Sequence, residues 1–175
     1  MAGSLIKIDE EIVTSAVASV TLGGANWDSS YDVYMVKINN LKCDVIASPY
    51  ARFTVSGTPD TSANYDWADK VLRTDTTFGD VSNTNQTNFT EIFLSTVDTV
   101  TGSAGNAIHY LYNMNNSSEY SFISFEETTR RHSGVLFGHQ GGGVHTVAQA
   151  CDGIQYVANG QNFSSGTFTL YGLKK

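Results

Sequence analysis

The stretch GHQGGGVH places His139 and His145 on either side of three consecutive glycines, a spacing that could bind a metal ion or a phosphate. The spacing matches no helical zinc motif, and the next candidate ligands are Cys151 and Asp152. The phosphate-binding motif GxxxxGK[ST] is absent from the sequence, and no predicted helix follows the glycines. We therefore interpret the stretch as a glycine-rich turn between two strands, and we expect no bound metal or cofactor.

Acidic side chains are the residues that could work in pairs as the acid and base of a glycoside hydrolase. The candidates are Glu91, Glu119 and the adjacent pair Glu126 and Glu127. Neighbouring residues of a strand point to opposite faces of a sheet, so Glu126 and Glu127 should not form a catalytic pair on one face. The nucleophile motif GxSxG is also absent. We interpret these carboxylates as solvent-exposed and predict that the chain is not an enzyme.

The segment 57–69, GTPDTSANYDWAD, combines three carboxylates with two aromatic side chains. The acidic residues are Asp60, Asp66 and Asp69, and the aromatic residues are Tyr65 and Trp67. Carboxylates suit calcium and aromatic faces suit sugar rings, although the spacing of an EF-hand is absent. The favoured interpretation is a loop that its two aromatic residues anchor at the rim of the domain. A calcium-bound or sugar-stacking loop is the alternative.

Charge and cysteine content restrict the partners that we expect. The net charge is −7, and the only adjacent basic pairs stand at 130–131 and 174–175, so neither nucleic acid nor a membrane surface is an expected partner. The amino-terminal stretch has no basic region and no long apolar run, so we expect no signal peptide or membrane anchor. Cys43 and Cys151 fall in different predicted strands without a CxxC or Cys/His zinc pattern, and we predict two free, buried thiols.

Small polar residues dominate the segments that must position these side chains. Charged residues make up only 15% of the chain, below the roughly 25% of ordinary soluble domains. Alternating segments separated by turn residues recur throughout, without sustained helical periodicity. The pattern predicts an all-β, jelly-roll-like β-sandwich of about ten short antiparallel strands, in a single domain that spans residues 1–175. Within it, TFGDVSNTNQ is predicted to be an exposed loop and NNSS the turn of a hairpin.

The chain closes with SSGTFTLYGLKK, a well-patterned strand followed by two lysines. Phe168, Leu170 and Gly172 fall on one side of the extended chain. We predict that Phe168 and Leu170 enter the core and that Gly172 permits close approach of another segment. The lysines at 174–175 are expected to discourage pairing of an exposed sheet edge with other chains.

The order of these pieces resembles that of a large group of small virion proteins from tailed bacteriophages. The resemblance rests on ASVTLGGANWDSSYDVYMVKINNL, in which a Ser/Thr-rich strand leads through the turn WDSSYDVY to another strand, on YARFTVSGTPDTSANYDWA, and on the closing GTFTLYGLK. It implies a jelly-roll sandwich, often trimeric, that serves as a capsid cement or decoration protein, a head fibre, or a tail-fibre or receptor-binding module. It carries over no catalytic residue.

Among the roles that the resemblance implies, the sequence favours a cement or decoration protein that binds and stabilises the assembled head shell, because no fibre shaft or coiled-coil repeat is present. The expected partners are the major capsid protein or another virion protein, and the expected assembly is a homotrimer on the capsid surface of the virion. A receptor- or glycan-binding module of a fibre or tail is the alternative. The predicted contact residues, chosen for exposure and apolar or aromatic character, are Leu5, Ile6, Ile8, Tyr65 and Trp67.

Overall fold

The computed structural model describes residues 4–75, 78–90, 99–131 and 133–173, and these residues form twelve strands and one short 3-10 turn, Gly24–Asn26. The strands are β1 Leu5–Val13, β2 Ser19–Gly23, β3 Val33–Cys43, β4 Tyr50–Val55, β5 Thr58–Pro59, β6 Tyr65–Arg73, β7 Gly79–Gln86, β8 Ala104–Tyr112, β9 Ser121–Arg130, β10 Leu136–His145, β11 Gly153–Val157 and β12 Phe163–Leu173.

The strands form two antiparallel sheets of unequal size. The large sheet has the order β1-β12-β3-β8-β9-β10-β6-β7, and the small sheet has the order β2-β11-β4-β5. The described chain passes between the sheets six times, while β8, β9 and β10 stay in the large sheet as a meander. The predicted all-β sandwich is therefore confirmed, with twelve strands in the described residues rather than about ten.

The hydrophobic core lies where the small sheet covers the large one, and strand alternation builds it. Phe53 of β4 and Tyr156 of β11 are fully buried from the small sheet, and Phe168 of β12 is fully buried from the large one. The rings of Tyr156 and Phe168 are 5.4 Å apart, and the ring of Phe53 lies edge-on to Phe89 at 5.2 Å. Such aromatic pairs add stabilisation beyond their buried area.

The closing strand behaves as the sequence predicts. Phe168 and Leu170 are fully buried in the core. A Cβ atom at Gly172 would lie 2.3 Å from the ring of Tyr31, so the close approach expected at this glycine is real. The two lysines at 174–175 lie outside the described residues.

The prediction of a loop at TFGDVSNTNQ is wrong, because most of this stretch forms the edge strand β7. Its side chains are largely exposed, and its Gly, Ser and Asn residues carry the composition of a turn. Pairing with β6, in which Lys70 lies opposite Asp80 and Ala68 opposite Ser82, overrides that local preference.

The prediction of a glycine-rich turn at GHQGGGVH is also wrong, because the whole stretch lies inside β10, between β9 and β6. Gly141 and Gly143 lie where side chains would collide: an added Cβ would lie 2.3 Å from the backbone oxygen of Ala68 at Gly141, and 2.6 Å from the ring of Phe89 at Gly143. The glycines therefore permit tight packing within a strand rather than a change of direction.

Candidate binding groove on the large sheet

Cys151, His145 and Asp60 lie together beneath the small sheet in the order of a nucleophile, a base and an orienting carboxylate. His145 donates from Nε2 to Oδ2 of Asp60 at 2.8 Å, and the Cys151 sulfur lies 4.0 Å from the other ring nitrogen. Cys151 and His145 are both buried, and burial raises the pKa of the Cys151 thiol to about 11. A nucleophilic cysteine needs a lowered pKa and access to substrate, and the Cys151 thiol has neither.

We expect both thiols of the native protein to resist alkylation and aromatic disulfide reagents at pH 8. Cys43 and Cys151 are buried and unbridged, and with a pKa near 11 about one part in a thousand of the Cys151 thiol is ionised at that pH. A reagent assay should therefore give a slow reaction in buffer and two rapid equivalents per chain in guanidinium chloride. Rapid native labelling at either cysteine would contradict the buried placement.

A second buried cluster lies on the inner face of the large sheet. His139 of β10 donates from Nδ1 to Oδ2 of Asp69 at 2.6 Å, and its Nε2 lies 3.5 Å from a carboxylate oxygen of Glu127. His139 and His145 are six residues apart on one extended strand, roughly 20 Å at about 3.4 Å per residue, so they do not share a site. Within the described ranges, no group of three or more His, Cys, Asp or Glu side chains is arranged to hold a metal ion.

The acidic candidates for hydrolase chemistry are not brought together. Glu126 is exposed and Glu127 is buried, so the prediction that these neighbours face opposite sides of the sheet is confirmed. The predicted solvent exposure is wrong for Glu127, which lies on the inner face beside His139. Glu119 lies exposed in the turn between β8 and β9, and Glu91 lies outside the described residues.

The three carboxylates of the segment 57–69 bind three different partners rather than one ion. Asp60 accepts from His145, Asp69 from His139, and Asp66 from the backbone amide of Asn85. Although burial opposes it, hydrogen bonds from Ser62 and His145 hold the pKa of Asp60 below its usual value. The described structure therefore does not contain the calcium-binding or sugar-stacking loop that was the alternative for this segment.

The exposure predicted for Tyr65 and Trp67 is wrong. Both residues begin the inward-facing row of β6, where Tyr65 is fully buried and Trp67 is 4% exposed. Tyr65 packs edge-on against Phe89 with ring centroids 4.8 Å apart, and its hydroxyl donates to the backbone oxygen of Asp60. These side chains anchor the segment by burial and do not present a contact surface.

The amino-terminal contact residues are placed on the edge strand β1. Leu5 and Ile6 are 50% and 40% exposed, whereas Ile8 is half-buried and packs against the core. The predicted exposure is therefore present at Leu5 and Ile6 and reduced at Ile8.

The outward face of the large sheet carries a shallow groove that crosses five adjacent strands. Its floor is one cross-strand row: Tyr110 of β8 lies opposite Ser124 of β9, then come Gly142 of β10, Ala68 of β6 and Ser82 of β7. Residues directly opposite in antiparallel strands share a face of the sheet. Four small residues follow Tyr110 in this row, and the Tyr112 hydroxyl reaches over it to within 3.3 Å of Ser124 Oγ. The five strands span about 19 Å at about 4.8 Å per interval.

One side of the groove is a polar ridge, formed by the outward row two residues away from the floor. This row contains Ile108, Glu126, Gln140, Lys70 and Asp80 on the same five strands. Gln140 donates from Nε2 to Oε1 of Glu126 at 2.9 Å, and Lys70 forms an ion pair with Asp80. The amide and the carboxylate are thereby held at the groove with hydrogen-bonding capacity to spare.

The other side is an aromatic ridge, formed by Tyr112, Phe122, Val144 and Asp66. Tyr112 and Phe122 are 36% and 42% exposed. Two depressions lie along the groove, one of about 410 Å³ bordered by Tyr110 and Gln140, and one of about 510 Å³ bordered by Phe122 and Ala68. Depressions that combine apolar and aromatic side chains with a few polar groups are typical of ligand-binding sites.

Comparisons with known protein families and with curated proteins find no match. Among solved structures, the chain is similar to the marine PL-14 alginate lyase from Aplysia kurodai, with 10% identity, 82% of this chain and 72% of that chain covered, and a TM-score of 0.23. It is similar also to the structure of infectious bursal disease virus, Gx strain, with 10% identity, 98% of this chain and 41% of that chain covered, and a TM-score of 0.13. Neither likeness carries a functional conclusion.

The fold itself defines the class of protein, an antiparallel β-sandwich with a groove across the outer face of its larger sheet. No stretch of helix in the described part of the chain is long and apolar enough to cross a bilayer.

Proposed function

We propose that this protein is a structural protein of a tailed-bacteriophage virion, a cement or decoration protein that binds the assembled head shell. The observation that carries the proposal is the apolar surface of the edge strand β1, where Leu5, Ile6 and Ile12 are 50%, 40% and 61% exposed. Leu5 and Ile6 are adjacent and point to opposite faces of the strand, so the apolar area is spread along the edge rather than gathered in one patch. Exposed apolar residues on a sheet edge invite association with a partner.

The edge strand also carries features that limit how it associates. Its register with β12 is interrupted between Lys7 and Asp9, and Lys7 pairs with Glu10 at 3.0 Å. An interrupted register and charged side chains discourage continuous strand addition from one copy to the next. The proposed contact with the shell is therefore made by side chains on a closed surface, which suits a protein that must stay soluble before assembly.

Burial of the chemically reactive groups supports a binding role. The thiol of Cys151 and the imidazoles of His139 and His145 are enclosed in the fold. A protein that binds the assembled shell and not its free subunits stabilises the shell by mass action. A homotrimer, in which one interface between two different surface patches is repeated three times, is the assembly that we propose for the shell-bound form.

The variant that replaces both Leu5 and Ile6 with lysine tests this proposal. We expect the wild-type protein to co-sediment with purified phage shells and to raise their thermal unfolding temperature. The double variant should lose both effects, because charged side chains remain unpaired in an apolar contact. Its own free energy of unfolding should change by less than about 0.5 kcal/mol, since both side chains are surface groups.

The control is Leu136→Lys, which places a single lysine at an exposed leucine of β10, separated from β1 by four strands of the large sheet. This variant should bind shells as the wild type does. The proposed role would be refuted if the wild-type protein did not bind shells, or if the double variant bound them as well as the wild type does. Light scattering of the purified protein measures whether it forms the trimer.

A further inference from the structure

We propose that the groove across β8, β9, β10, β6 and β7 binds a single unbranched chain of a neutral polysaccharide. The inference is independent of shell binding, because β12 and β3 separate the groove from the β1 edge. The shape of the groove is the first argument. A row of small residues with a ridge on each side aligns two depressions across five strands, and an elongated site of this kind fits a linear polymer rather than a compact ligand.

The two ridges match the two faces of a sugar chain. A pyranose ring has an apolar face of C–H groups, which packs on aromatic rings, and a rim of hydroxyls that need hydrogen-bond partners. Tyr112 and Phe122 supply the exposed rings on one side. Glu126 and Gln140, already joined at 2.9 Å, supply acceptors and an amide donor on the other side.

The charge of the groove selects neutral chains. Glu126 and Asp66 place carboxylates on opposite ridges, and the charge of Lys70 is offset by its ion pair with Asp80. Lys37 lies beyond Ile108, one strand outside the groove. A polyuronate or sulfated chain would meet like charge on a protein whose net charge is already −7, so polyanions should be repelled.

Peptide ligands fit the groove less well. The interior strands that form its floor use their backbone groups in pairing with their neighbours, so an extended peptide would find no free backbone partners there. A helix is about 10–12 Å wide with its side chains. The backbones of the two ridges are about 14 Å apart, from two residues on each side at about 3.4 Å, and the ridge side chains narrow this further.

The test is isothermal titration of the whole protein with cello-, laminari-, manno- and xylo-oligosaccharides, and with alginate and polygalacturonate as anionic probes. We expect at least one neutral series to bind, and neither anionic probe. Phe122→Ala should weaken binding about tenfold, which corresponds to one lost aromatic contact. Ala68→Trp, which fills the floor from an exposed position, should abolish binding.

The matched control is Leu136→Ala, at an exposed residue outside the groove, which should bind sugars as the wild type does. Thermal unfolding of each variant separates loss of binding from loss of fold. Three results would overturn the inference: no binding by any neutral series, binding that survives Ala68→Trp in folded protein, or preference for an anionic probe. If Ala68→Trp abolishes binding to shells and leaves binding to sugars unchanged, the groove is a protein contact and the inference also fails.

Discussion

Replacing Gly141 with alanine is expected to lower the free energy of unfolding by roughly 3 kcal/mol, the upper range for an overpacked position. The new Cβ atom would lie 2.3 Å from the backbone oxygen of Ala68 and 2.5 Å from Cβ of Asp69. Both atoms belong to β6, which pairs along its whole length with β10. Relief of the collision therefore requires the two strands to separate, and a side-chain rotation cannot provide it.

The matched control is Gly138→Ala on the same strand. A Cβ atom there would lie 3.5 Å from its nearest neighbour, the backbone oxygen of Glu127, which is ordinary contact. We expect no loss of stability in this variant, and a gain of up to about 1 kcal/mol if the alanine restricts the unfolded chain. Urea unfolding followed by fluorescence measures the free energy of unfolding of both variants. In thermal unfolding, the melting temperature of the Gly141 variant should be roughly 6–12 °C lower in a chain of this size.

A third glycine of β10, Gly143, provides a further test of the close packing proposed for this strand. At Gly143 an added Cβ would meet the ring of Phe89, which is fully buried between Phe53 and Tyr65. Shortening the ring by Phe89→Leu should recover part of the stability lost in Gly143→Ala, a coupling that a double-mutant cycle measures. Equal stability of the Gly138 and Gly141 alanine variants would contradict the packing described for β10.

These glycines also show why part of the fold could not be predicted. Three consecutive glycines favour a turn on local grounds, since glycine weakens strands and populates turn conformations. The groups that require them, Ala68 and Phe89, are distant in sequence and meet β10 only in the folded sheet. The closing strand can be predicted, because the alternation that places Phe168 and Leu170 on one face is visible within the segment itself.

The predicted contact residues show the same difference between what a local pattern predicts and what the folded sheet decides. Tyr65 and Trp67 alternate with Asp66 and Ala68, a pattern that predicts an inward aromatic row, but their apparent position in a polar loop suggested exposure. The alternation of residues along single strands is not enough to predict the groove. Its floor depends on the register of five strands, and a shift of one residue in any of them would replace a small residue by a large one. No single segment of the sequence encodes that register.

The second large effect is expected in acid, where His109 should make the free energy of unfolding fall as the pH is lowered from about 6.5 to 4.5. His109 is fully buried on β8, and burial lowers its pKa from 6.5 to about 3. In the unfolded chain the imidazole is solvated and binds a proton near its ordinary pKa. The unfolded state therefore holds one more proton than the native state over this interval, and protonation favours unfolding.

The sign and size of the effect follow from that difference. Because the native pKa is below the unfolded one, the stabilisation is complete above about pH 6.5 and is lost progressively towards pH 3. One proton corresponds to about 1.4 kcal/mol per pH unit. The interval stops at pH 4.5 because carboxylates such as Asp60, whose pKa is lowered in the native state, add their own losses below it.

His109→Gln isolates this contribution. The glutamine keeps a polar group near the hydroxyl of Tyr156, which lies 2.8 Å from Nδ1 of His109, but it cannot take up a proton. Urea unfolding of both proteins at several pH values gives two curves, and their difference removes every other titrating group. The wild-type curve should fall more steeply by about 1.4 kcal/mol per pH unit.

The matched control is Tyr156→Phe, which removes the hydroxyl next to His109 and leaves the imidazole buried. This variant should be less stable than the wild type at every pH, because the buried hydrogen bond between the two side chains is lost. Its slope against pH should nevertheless equal that of the wild type, since the buried histidine remains. A parallel course of the His109→Gln and wild-type curves would show that His109 takes up its proton in the folded protein, and that the space around it admits water.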